Sequence, residues 1–147
     1  MIRQATLNDI DSNLLTLYIE GYNLHQTNQP DQFAAKTDAE LRDSLVKMLN
    51  SSNEVVLVTE EDGIIAYAAL QIKQKAVKVA WIDEIIVDPS HRQKGHATRL
   101  LAEVRKLAAD QGCQKIELIC WSFNTAALKL YEKLGFSTQR VVLETNI

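Results

Sequence analysis

The first third of the chain combines apolar residues at helical spacing with polar connectors. Residues 2–5 predict a short strand, and residues 6–9, Thr-Leu-Asn-Asp, have the form of a capping box that opens a helix. Apolar residues three or four positions apart predict that helix: Ile10, Leu14, Leu17, Tyr18 and Tyr22. Residues 25–36 are mostly polar and predict a loop that holds at most one helical turn. A second capping box, residues 37–40, opens a second amphipathic helix.

The middle of the chain is rich in Val and Ile and predicts three consecutive strands. Residues 54–59 and 64–73 flank Glu61-Asp62-Gly63, which has the composition of a hairpin turn. A second turn at residues 74–76 leads into the third apolar stretch, residues 77–88. Strands joined by such short turns predict an antiparallel meander.

The last third returns to a helical period and then alternates between strands and helices. Apolar residues predict an amphipathic helix: Leu100, Leu101, Val104, Leu107 and Ala108. We expect a strand at residues 115–121, a helix at 125–134 and a final strand at 138–144. The order β-α-α-β-β-β-α-β-α-β predicts an α/β fold in which helices cover both faces of a mixed sheet.

Composition narrows the class of protein. A chain of 147 residues is the usual size of one domain, so we expect residues 1–147 to form a single domain. A net charge of -3 argues against a nucleic-acid partner, which would require a cluster of cations. Cys113 and Cys120 do not form a metal or redox motif, and the three His have no metal-ligand spacing, so no metal is expected. The N-terminal residues do not resemble a secretory leader, and no apolar run would span a membrane, so we expect a cytoplasmic protein without a membrane partner.

The connection after the third strand of the meander has the properties of an anion site. It holds Arg92, Lys94 and Gly95 directly before a helix, whose first amides lack partners and carry the positive end of the helix dipole. Such a site suits a pyrophosphate. The competing interpretation is an ordinary connection with solvated basic residues. Neither GxxxxGK[ST] nor GxGxxG occurs, which disfavours nucleotide hydrolysis and dinucleotide chemistry.

Two segments resemble motifs of the GNAT family of N-acetyltransferases. Residues 92–97, Arg-Gln-Lys-Gly-His-Ala, are similar to the family signature R/Q-x-x-G-x-G/A. Residues 124–136 resemble its second motif, N-x-x-A-x-x-x-Y-x-x-x-G-F, and the element order matches as well. The resemblance covers essentially the whole chain and implies the GNAT fold, with acetyl-CoA as co-substrate.

The resemblance also implies which residues hold acetyl-CoA. Backbone groups of a strand that splays from its neighbour would bind the pantetheine arm: Ile85, Ile86 and Val87. The loop and helix start would cradle the pyrophosphate: Arg92, Gln93, Lys94, Gly95, His96, Ala97 and Thr98. His96 stands where a small or aliphatic residue is usual, and we expect its side chain to point outward. Asn124 would contact the cofactor arm, and Tyr131 would lie near the thioester sulfur and protonate the departing thiolate.

Glu84 is the candidate general base, acting directly or through a water relay, because family members often place a carboxylate at this position. Period-two alternation predicts that Glu84 shares a face with Ile82 and Ile86, and that Asp83 points to the opposite face. The competing interpretation is that Glu84 is a solvated or salt-bridged strand residue. Tyr131 also suits a helix core position through its ring, which is compatible with a role as acid.

The expected reaction is acetyl transfer to a primary amine of a small molecule or peptide by direct attack in a ternary complex. The alternatives are a GNAT-fold module that binds acyl-CoA without transferring it, and an interaction domain with no cofactor. His25 is a candidate for the acceptor site or, more simply, a polar surface residue, and Trp81 and Trp121 are expected in the core or a pocket wall. Relatives often pair, so a homodimer is possible. The acceptor itself does not follow from the sequence.

Overall fold

A five-stranded mixed sheet forms the centre of the molecule. The computed structural model describes residues 1–147. The strands are β1 (Ile2–Gln4), β2 (Glu54–Glu60), β3 (Ile64–Gln74), β4 (Lys78–Val87) and β5 (Lys115–Leu118). Their order in the sheet follows the chain, β1-β2-β3-β4-β5. The first four strands pair antiparallel, and β5 lies parallel to β4. The predicted meander and the mixed sheet are therefore confirmed.

Four helices cover the two faces of this sheet. They are α1 (Leu15–Asn28), α2 (Asp38–Asn50), α3 (His96–Asp110) and α4 (Thr125–Lys133). Short turns of 3-10 or π type span Leu7–Asp9, Ile10–Leu14 and Pro89–His91. The capping box of α2 forms as predicted, because the Glu40 amide donates to the Thr37 hydroxyl and the Thr37 amide donates to the Glu40 carboxylate, both over 3.1 Å.

The first helix is longer at its C-terminal end than the polar composition predicts. α1 runs through residues 25–28, which we expected to lie in the loop. Polar side chains there bond back to the helix: His25 Nδ1 lies 2.8 Å from the Gly21 carbonyl oxygen, and Asn28 Nδ2 donates to the Leu24 carbonyl. Pro30 then prevents further helix, since it lacks an amide hydrogen and restricts the residue before it.

Two apolar layers hold the helices to the sheet. On one face, α3 packs with four buried side chains against β2, β3 and β4, and Tyr131 and Leu134 of α4 lie against the same layer. On the other face, buried residues of α1 and α2 pack against the alternate side chains of β2 and β3, including the fully buried Tyr67. Burial of each large apolar side chain contributes about 1.5–3 kcal/mol to folding.

One extra residue in β4 changes which side chains share a face. Ala69 of β3 pairs with Glu84, whereas the next residue, Leu70, pairs with Ile82, so Asp83 is the extra residue of a β-bulge. Ile82 belongs to the α3 face, and Glu84, opposite Ala69, belongs to the α1 face. The prediction that Glu84 and Ile82 share a face is wrong, because the bulge interrupts the alternation between them.

The end of the chain also differs from the prediction. Residues 138–144 were expected to form a last strand, yet no helix or strand follows Lys133. Val141, Val142 and Leu143 are 72%, 87% and 88% exposed. Similarly, β5 ends at Leu118 instead of continuing to residue 121, since β4 no longer pairs with it beyond that point.

Candidate active site

The site is built around a gap between β4 and β5. The two parallel strands pair from Val79 and Lys115 up to Ile82 and Leu118. β4 then continues to Val87, with β3 on one side and no strand on the other. Backbone amides and carbonyls of Ile85–Val87 therefore face an open edge, which can hydrogen-bond an extended ligand in place of a strand.

The loop that follows β4 forms an anion-binding shape from backbone alone. Gln93 and Gly95 both have left-handed backbone conformations, with φ of 62° and 80°. The first bond of α3 runs from the Arg99 amide to the Gly95 carbonyl over 3.0 Å, which leaves the preceding amides of the helix start without intrahelical partners. These free amides belong to His96, Ala97 and Thr98. A loop with left-handed residues directly before the free amides of a helix N-terminus is a geometry that can bind phosphate.

His96 does not point outward as expected. It is 5% exposed, and its Nδ1 accepts a hydrogen bond from Arg99 over 3.0 Å. The same Arg99 nitrogen donates to the Lys94 carbonyl over 2.8 Å. Burial, with the nearby positive charge of Arg99, lowers the pKa of His96. The neutral His96 side chain therefore holds Arg99 against the Lys94 carbonyl and so fixes the loop. The backbone amide of His96 has no intrahelical partner and is free to bind a ligand.

The charged side chains of this loop lie on the surface. Arg92, Gln93, Lys94 and Thr98 are exposed, and Arg92 Nε donates to the carbonyl of Val87 over 3.2 Å, which ties the loop to the end of β4. Asp88 caps the turn after β4, and hydrogen bonds from the Ser90 hydroxyl and amide hold the pKa of Asp88 to about 2.

Glu84 is partly buried on the α1 side of the gap. Burial raises the pKa of Glu84 to about 7, and the charge of Asp83 acts in the same direction. Its neighbour Tyr67 is fully buried, and the Tyr67 hydroxyl has no hydrogen-bond partner. Glu84 is therefore not a solvated residue, and its protonation changes near neutral pH.

Asp83 lies on the same side as Glu84, contrary to the prediction. Its carboxylate accepts hydrogen bonds from Gln71 Nε2 at 3.0 and 3.1 Å, and Gln71 pairs with Trp81 on the α1 face. Asp83 and Glu84 both line one pocket because the bulge turns two consecutive carboxylates toward it.

That pocket has a volume of about 230 Å³ and mainly aromatic walls. It is lined by Tyr22, His25, Phe33, Trp81, Ile82, Asp83, Glu84, Ile119 and Trp121. Phe33 is central to the wall: its ring centroid lies 5.8 Å from that of Tyr22, 5.4 Å from that of His25 and 5.7 Å from that of Trp121. The expectation that Trp81 and Trp121 form a pocket wall is confirmed, and His25 also faces the pocket, from α1.

On the opposite face of the sheet, Tyr131 lies against the α3 layer. Burial raises the pKa of Tyr131 to about 12, with the charge of Cys120 as a second cause. Burial likewise raises the pKa of Cys120, so this thiol is not an activated nucleophile. Asn124 is the N-cap of α4, and its Oδ1 accepts from the Ala127 amide over 3.3 Å. Its side-chain amide nitrogen makes no hydrogen bond within the chain.

Sequence reasoning missed two wall residues and misplaced a third. Tyr22 was assigned only to the helix core, Phe33 only to a loop, and Asp83 to the wrong face. The spacing of Tyr22 and His25, three residues apart on one helix, is a signal that could have placed both on one side. The bulge that reorients Asp83 has no comparable signal.

Two further properties of the chain are plain from the structure. None of its helices combines the length and apolar character needed to cross a bilayer. It contains no cluster of three or more His, Cys, Asp or Glu side chains arranged to hold a metal ion.

Proteins of known name are similar to this chain in sequence. The chain is 30% identical over 113 residues to an aminoglycoside N(6')-acetyltransferase type 1 of Salmonella typhimurium, which covers 71% of this chain and 77% of that protein. It is 33% identical over 70 residues to GCN5-related N-acetyltransferase 4, chloroplastic, of Arabidopsis thaliana, where the match spans 48% of this chain but only 24% of the relative.

Solved structures share the fold along the whole chain. A mutant of the BH1408 protein from Bacillus halodurans superposes with a TM-score of 0.91 at 21% identity, covering 100% of this chain and 99% of that one. AAC(6')-Iy, in complex with a bisubstrate analogue that contains CoA, superposes with a TM-score of 0.69 at 25% identity, covering 100% and 97%. The profile of the Acetyltransferase (GNAT) family matches residues 18–136, and this chain is therefore an acetyltransferase that belongs to the GNAT family.

Proposed function

We propose that residues 1–147 form one domain that transfers an acetyl group from acetyl-CoA to a primary amine of a small molecule. The observation that carries this proposal is the position of the gap between β4 and β5. It opens to the free amides at the start of α3 and to an aromatic pocket with two carboxylates. We infer that an extended ligand in this gap reaches both, so that a thioester bound at one side can meet an amine bound at the other.

The residues at the gap fit acetyl-CoA. The open edge of Ile85–Val87 suits the amides of the pantetheine arm, and the amides of His96, Ala97 and Thr98 suit the pyrophosphate. A Cβ added at Gly95 would lie 3.0 Å from a guanidinium nitrogen of Arg99, so the backbone is kept clear of side chain at the cradle. When bound, acetyl-CoA supplies an acyl group activated by a thiol leaving group. Arg92 and Lys94, on the loop surface, add positive charge for the phosphates, and Gln93 adds an amide.

Glu84 accepts a proton from the incoming ammonium. The pKa of Glu84 is about 7, which is close to neutral pH. A fraction of Glu84 is therefore deprotonated at neutral pH and can take a proton. The neutral amine would then bond to the carbonyl carbon as the carbon–sulfur bond breaks. The nitrogen would release its second proton as the amide forms, which balances the proton that the departing sulfur takes up. Aromatic walls exclude water and hold the amine near that carbon, and this positioning supplies a large share of the acceleration.

Tyr131 supplies a proton to the departing sulfur. A phenol with a pKa of about 12 stays protonated throughout the physiological range and can donate to a thiolate. Tyr131 and Glu84 lie on opposite faces of the sheet, and the gap between β4 and β5 connects the two faces. Asn124, at the start of α4, offers its free amide nitrogen to the cofactor arm.

The acceptor is a cationic amine. Asp83 and Glu84 attract a positive charge, and the surrounding rings offer cation–π contacts to it. The Salmonella relative is named for transfer to the 6'-nitrogen of aminoglycosides, which supports a small-molecule amine of this kind. The volume of about 230 Å³ accommodates the amine and its nearest atoms, and leaves the rest of a larger acceptor outside.

A phenol-to-phenyl substitution tests this function. The Tyr131→Phe variant should lower kcat by about 10²–10⁴-fold, because it removes the proton donor. Its dissociation constant for acetyl-CoA, measured by calorimetry, should stay within about twofold of the wild-type value. The assay follows CoA release with a panel of aminoglycosides, polyamines and amino acids.

Tyr18→Phe is the matched control. It removes the same hydroxyl from a residue of α1 that packs against the apolar layer under α1 and α2 and does not line the pocket, so kcat should change little. If the protein bound acetyl-CoA but transferred acetyl to none of the amines, the result would favour the alternative of a module that binds acyl-CoA without catalysis. Failure to bind acetyl-CoA at all would refute both.

A further inference from the structure

The Tyr67 hydroxyl is a buried polar group without a hydrogen-bond partner. Tyr67 lies on β3, and its side chain is fully buried in the apolar layer under α1 and α2. The other buried side chains of that layer are aliphatic. An unpaired hydroxyl in such surroundings lowers stability, and a phenylalanine would fill nearly the same space without that cost. Packing alone therefore does not account for the hydroxyl.

The pairing of β3 with β4 places Tyr67 beside Glu84. Tyr67 pairs with Ile86, and Ala69 pairs with Glu84, so Tyr67 and Glu84 are diagonal neighbours on the α1 face of the sheet. The bulge at Asp83 lies before both pairs and does not separate them. Diagonal neighbours on one face are within reach of an aromatic side chain, so the phenol can extend to the Glu84 carboxyl.

The two groups influence each other's protonation. Burial raises the pKa of Glu84 to about 7, and the Tyr67 hydroxyl opposes this rise. Burial also raises the pKa of Tyr67 well above its usual value, and the charge of Glu84 acts in the same direction. The phenol therefore keeps its proton over the whole range in which Glu84 titrates. Since a carboxylate can only accept hydrogen bonds, Tyr67 is the donor of the pair.

We propose that Tyr67 is a positioning residue for Glu84: its hydroxyl donates to one carboxylate oxygen and leaves the other oxygen facing the pocket. The hydroxyl is unpaired in the structure, and a carboxylate is a stronger acceptor than a carboxylic acid, so the bond forms as Glu84 loses its proton. The phenol keeps its own proton throughout. Tyr67 thus orients the oxygen that takes a proton from the ammonium, and in this respect the inference rests on the proposed function.

Other groups around Glu84 do not supply this donor. The titratable side chains that face it are Tyr67 from β3, Asp83 from β4, and Tyr18 and His25 from α1. Asp83 is a second carboxyl and raises the pKa of Glu84. His25 Nδ1 lies 2.8 Å from the Gly21 carbonyl oxygen. The charge of Glu54, on β2, acts on Tyr18, and the charged side chains of α2 are all exposed.

Carbon NMR of protein labelled at glutamate tests the proposal from pH 5 to 9. The carboxyl signal of Glu84 is the one that Glu84→Gln lacks. In Tyr67→Phe, the inflection of this signal should rise by about one pH unit, because the carboxylate loses its donor. The inflection of kcat/KM should rise with it. Tyr18→Phe is the matched control: it removes the same hydroxyl from the same layer and should leave both inflections in place.

The wild-type protein provides a second measurement that does not depend on how Tyr67→Phe folds. In protein labelled at tyrosine, the Tyr67 ring carbon that bears the hydroxyl should change its signal with the same inflection as Glu84. A ring signal that ignores this inflection would overturn the proposal.

The variants add two results that would contradict it. One is a Glu84 inflection that stays in place in Tyr67→Phe or moves equally in Tyr18→Phe. The other is a kcat/KM inflection that stays in place while the carboxyl signal moves, since Tyr67 would then not act on the reaction. A shifted carboxyl signal in a protein that acetylates no amine would support the hydrogen bond and refute the proposed function alone.

Discussion

Two adjacent carboxyl groups on β4 face one pocket but have different surroundings. Glu84 is partly buried beside Tyr67, whereas Asp83 is held by Gln71 near the surface. Burial raises the pKa of both carboxyls, and that of Glu84 reaches about 7. A carboxyl group with a pKa this close to neutral is suited to proton transfer, and its neighbour contributes by its charge.

Replacing Glu84 tests its role as base. In the wild type, kcat/KM should rise with pH to an inflection near 7 and then level off, because only the carboxylate accepts a proton. Glu84→Gln should lower kcat/KM by about 10²–10⁴-fold and abolish that inflection. The measurement is a pH–rate profile from pH 5 to 9 with a saturating co-substrate.

Asp83→Asn is the matched control for Glu84→Gln. It removes a like charge next to Glu84, so the inflection should move to lower pH. The KM for the amine should rise, because Asp83 also attracts the acceptor, while kcat at pH 8 stays close to wild type. An unchanged inflection in Glu84→Gln would show that another group is the base.

At the scale of elements, the two ends of α3 carry glycines with nearly the same backbone. Gly95, before the helix, has φ of 80°, and Gly112, after it, has φ of 79°. Only Gly95 lies at the proposed phosphate cradle. An alanine at either position would have to adopt a left-handed conformation, which costs about 1–2 kcal/mol of stability.

Because the two glycines share a backbone conformation, substituting each of them distinguishes backbone strain from an effect on ligand binding. Gly95→Ala and Gly112→Ala should lower the free energy of unfolding by similar amounts, about 1–2 kcal/mol each, in chemical denaturation. Only Gly95→Ala should also weaken the binding of acetyl-CoA, because its methyl group would lie 3.0 Å from Arg99 and disturb the loop. Equal acetyl-CoA affinities in the two variants would place the phosphates away from this loop.

Local patterns predicted most of the elements, and the misses share a physical cause. The capping box at Thr37, the hairpin at Gly63 and the period of α3 all depend on residues close in sequence. The bulge at Asp83 depends on how β3 and β4 align, which no local pattern states. Residues 138–144 have the composition of a strand, but composition does not say whether a neighbouring strand is available to pair with them, and here none is.

The site followed the same division. Motifs led to the hypothesis that the loop from Arg92 to Thr98 and Tyr131 serve acetyl-CoA, and these roles stay predictions. β4 and β5 stop pairing after Ile82 and Leu118, so the structure has a gap of the kind that the hypothesis requires. Burial of His96 was not foreseen, because it depends on Arg99 folding back across the loop. The pocket wall forms where residues 22–33, 81–84 and 119–121 come together in the fold. A pattern within one segment does not predict contacts between distant segments.

Across the whole molecule, carboxyl groups give stability a pH dependence of two opposite signs. Asp9 accepts hydrogen bonds from Arg3, and its pKa is lowered from 3.8 to about 2. Its contribution is therefore present above pH 4 and is lost as the pH falls toward 2. Glu84, with a pKa raised from 4.5 to about 7, acts in reverse: folding favours its protonated form, so stability declines as the pH rises from 4.5 to 7.

Other groups also change stability with pH: the lowered pKa of His96, for example, favours folding as the pH rises through 6.5. Comparing each variant with wild type at the same pH removes these shared contributions and isolates those of Asp9 and Glu84. Asp9→Asn should lower the free energy of unfolding by about 2 kcal/mol at pH 6, and the difference from wild type should shrink toward pH 2. Glu84→Gln should instead be more stable than wild type at pH 8, by roughly 3 kcal/mol at most, and similar to it at pH 4.5. Urea denaturation of the three proteins from pH 2 to 8 measures both curves. A Glu84→Gln protein that loses activity while gaining stability at pH 8 would show that a charge unfavourable to folding is kept on β4 for the reaction, whereas a loss of stability at pH 8 would mean that the Glu84 carboxylate is a structural partner and not a base.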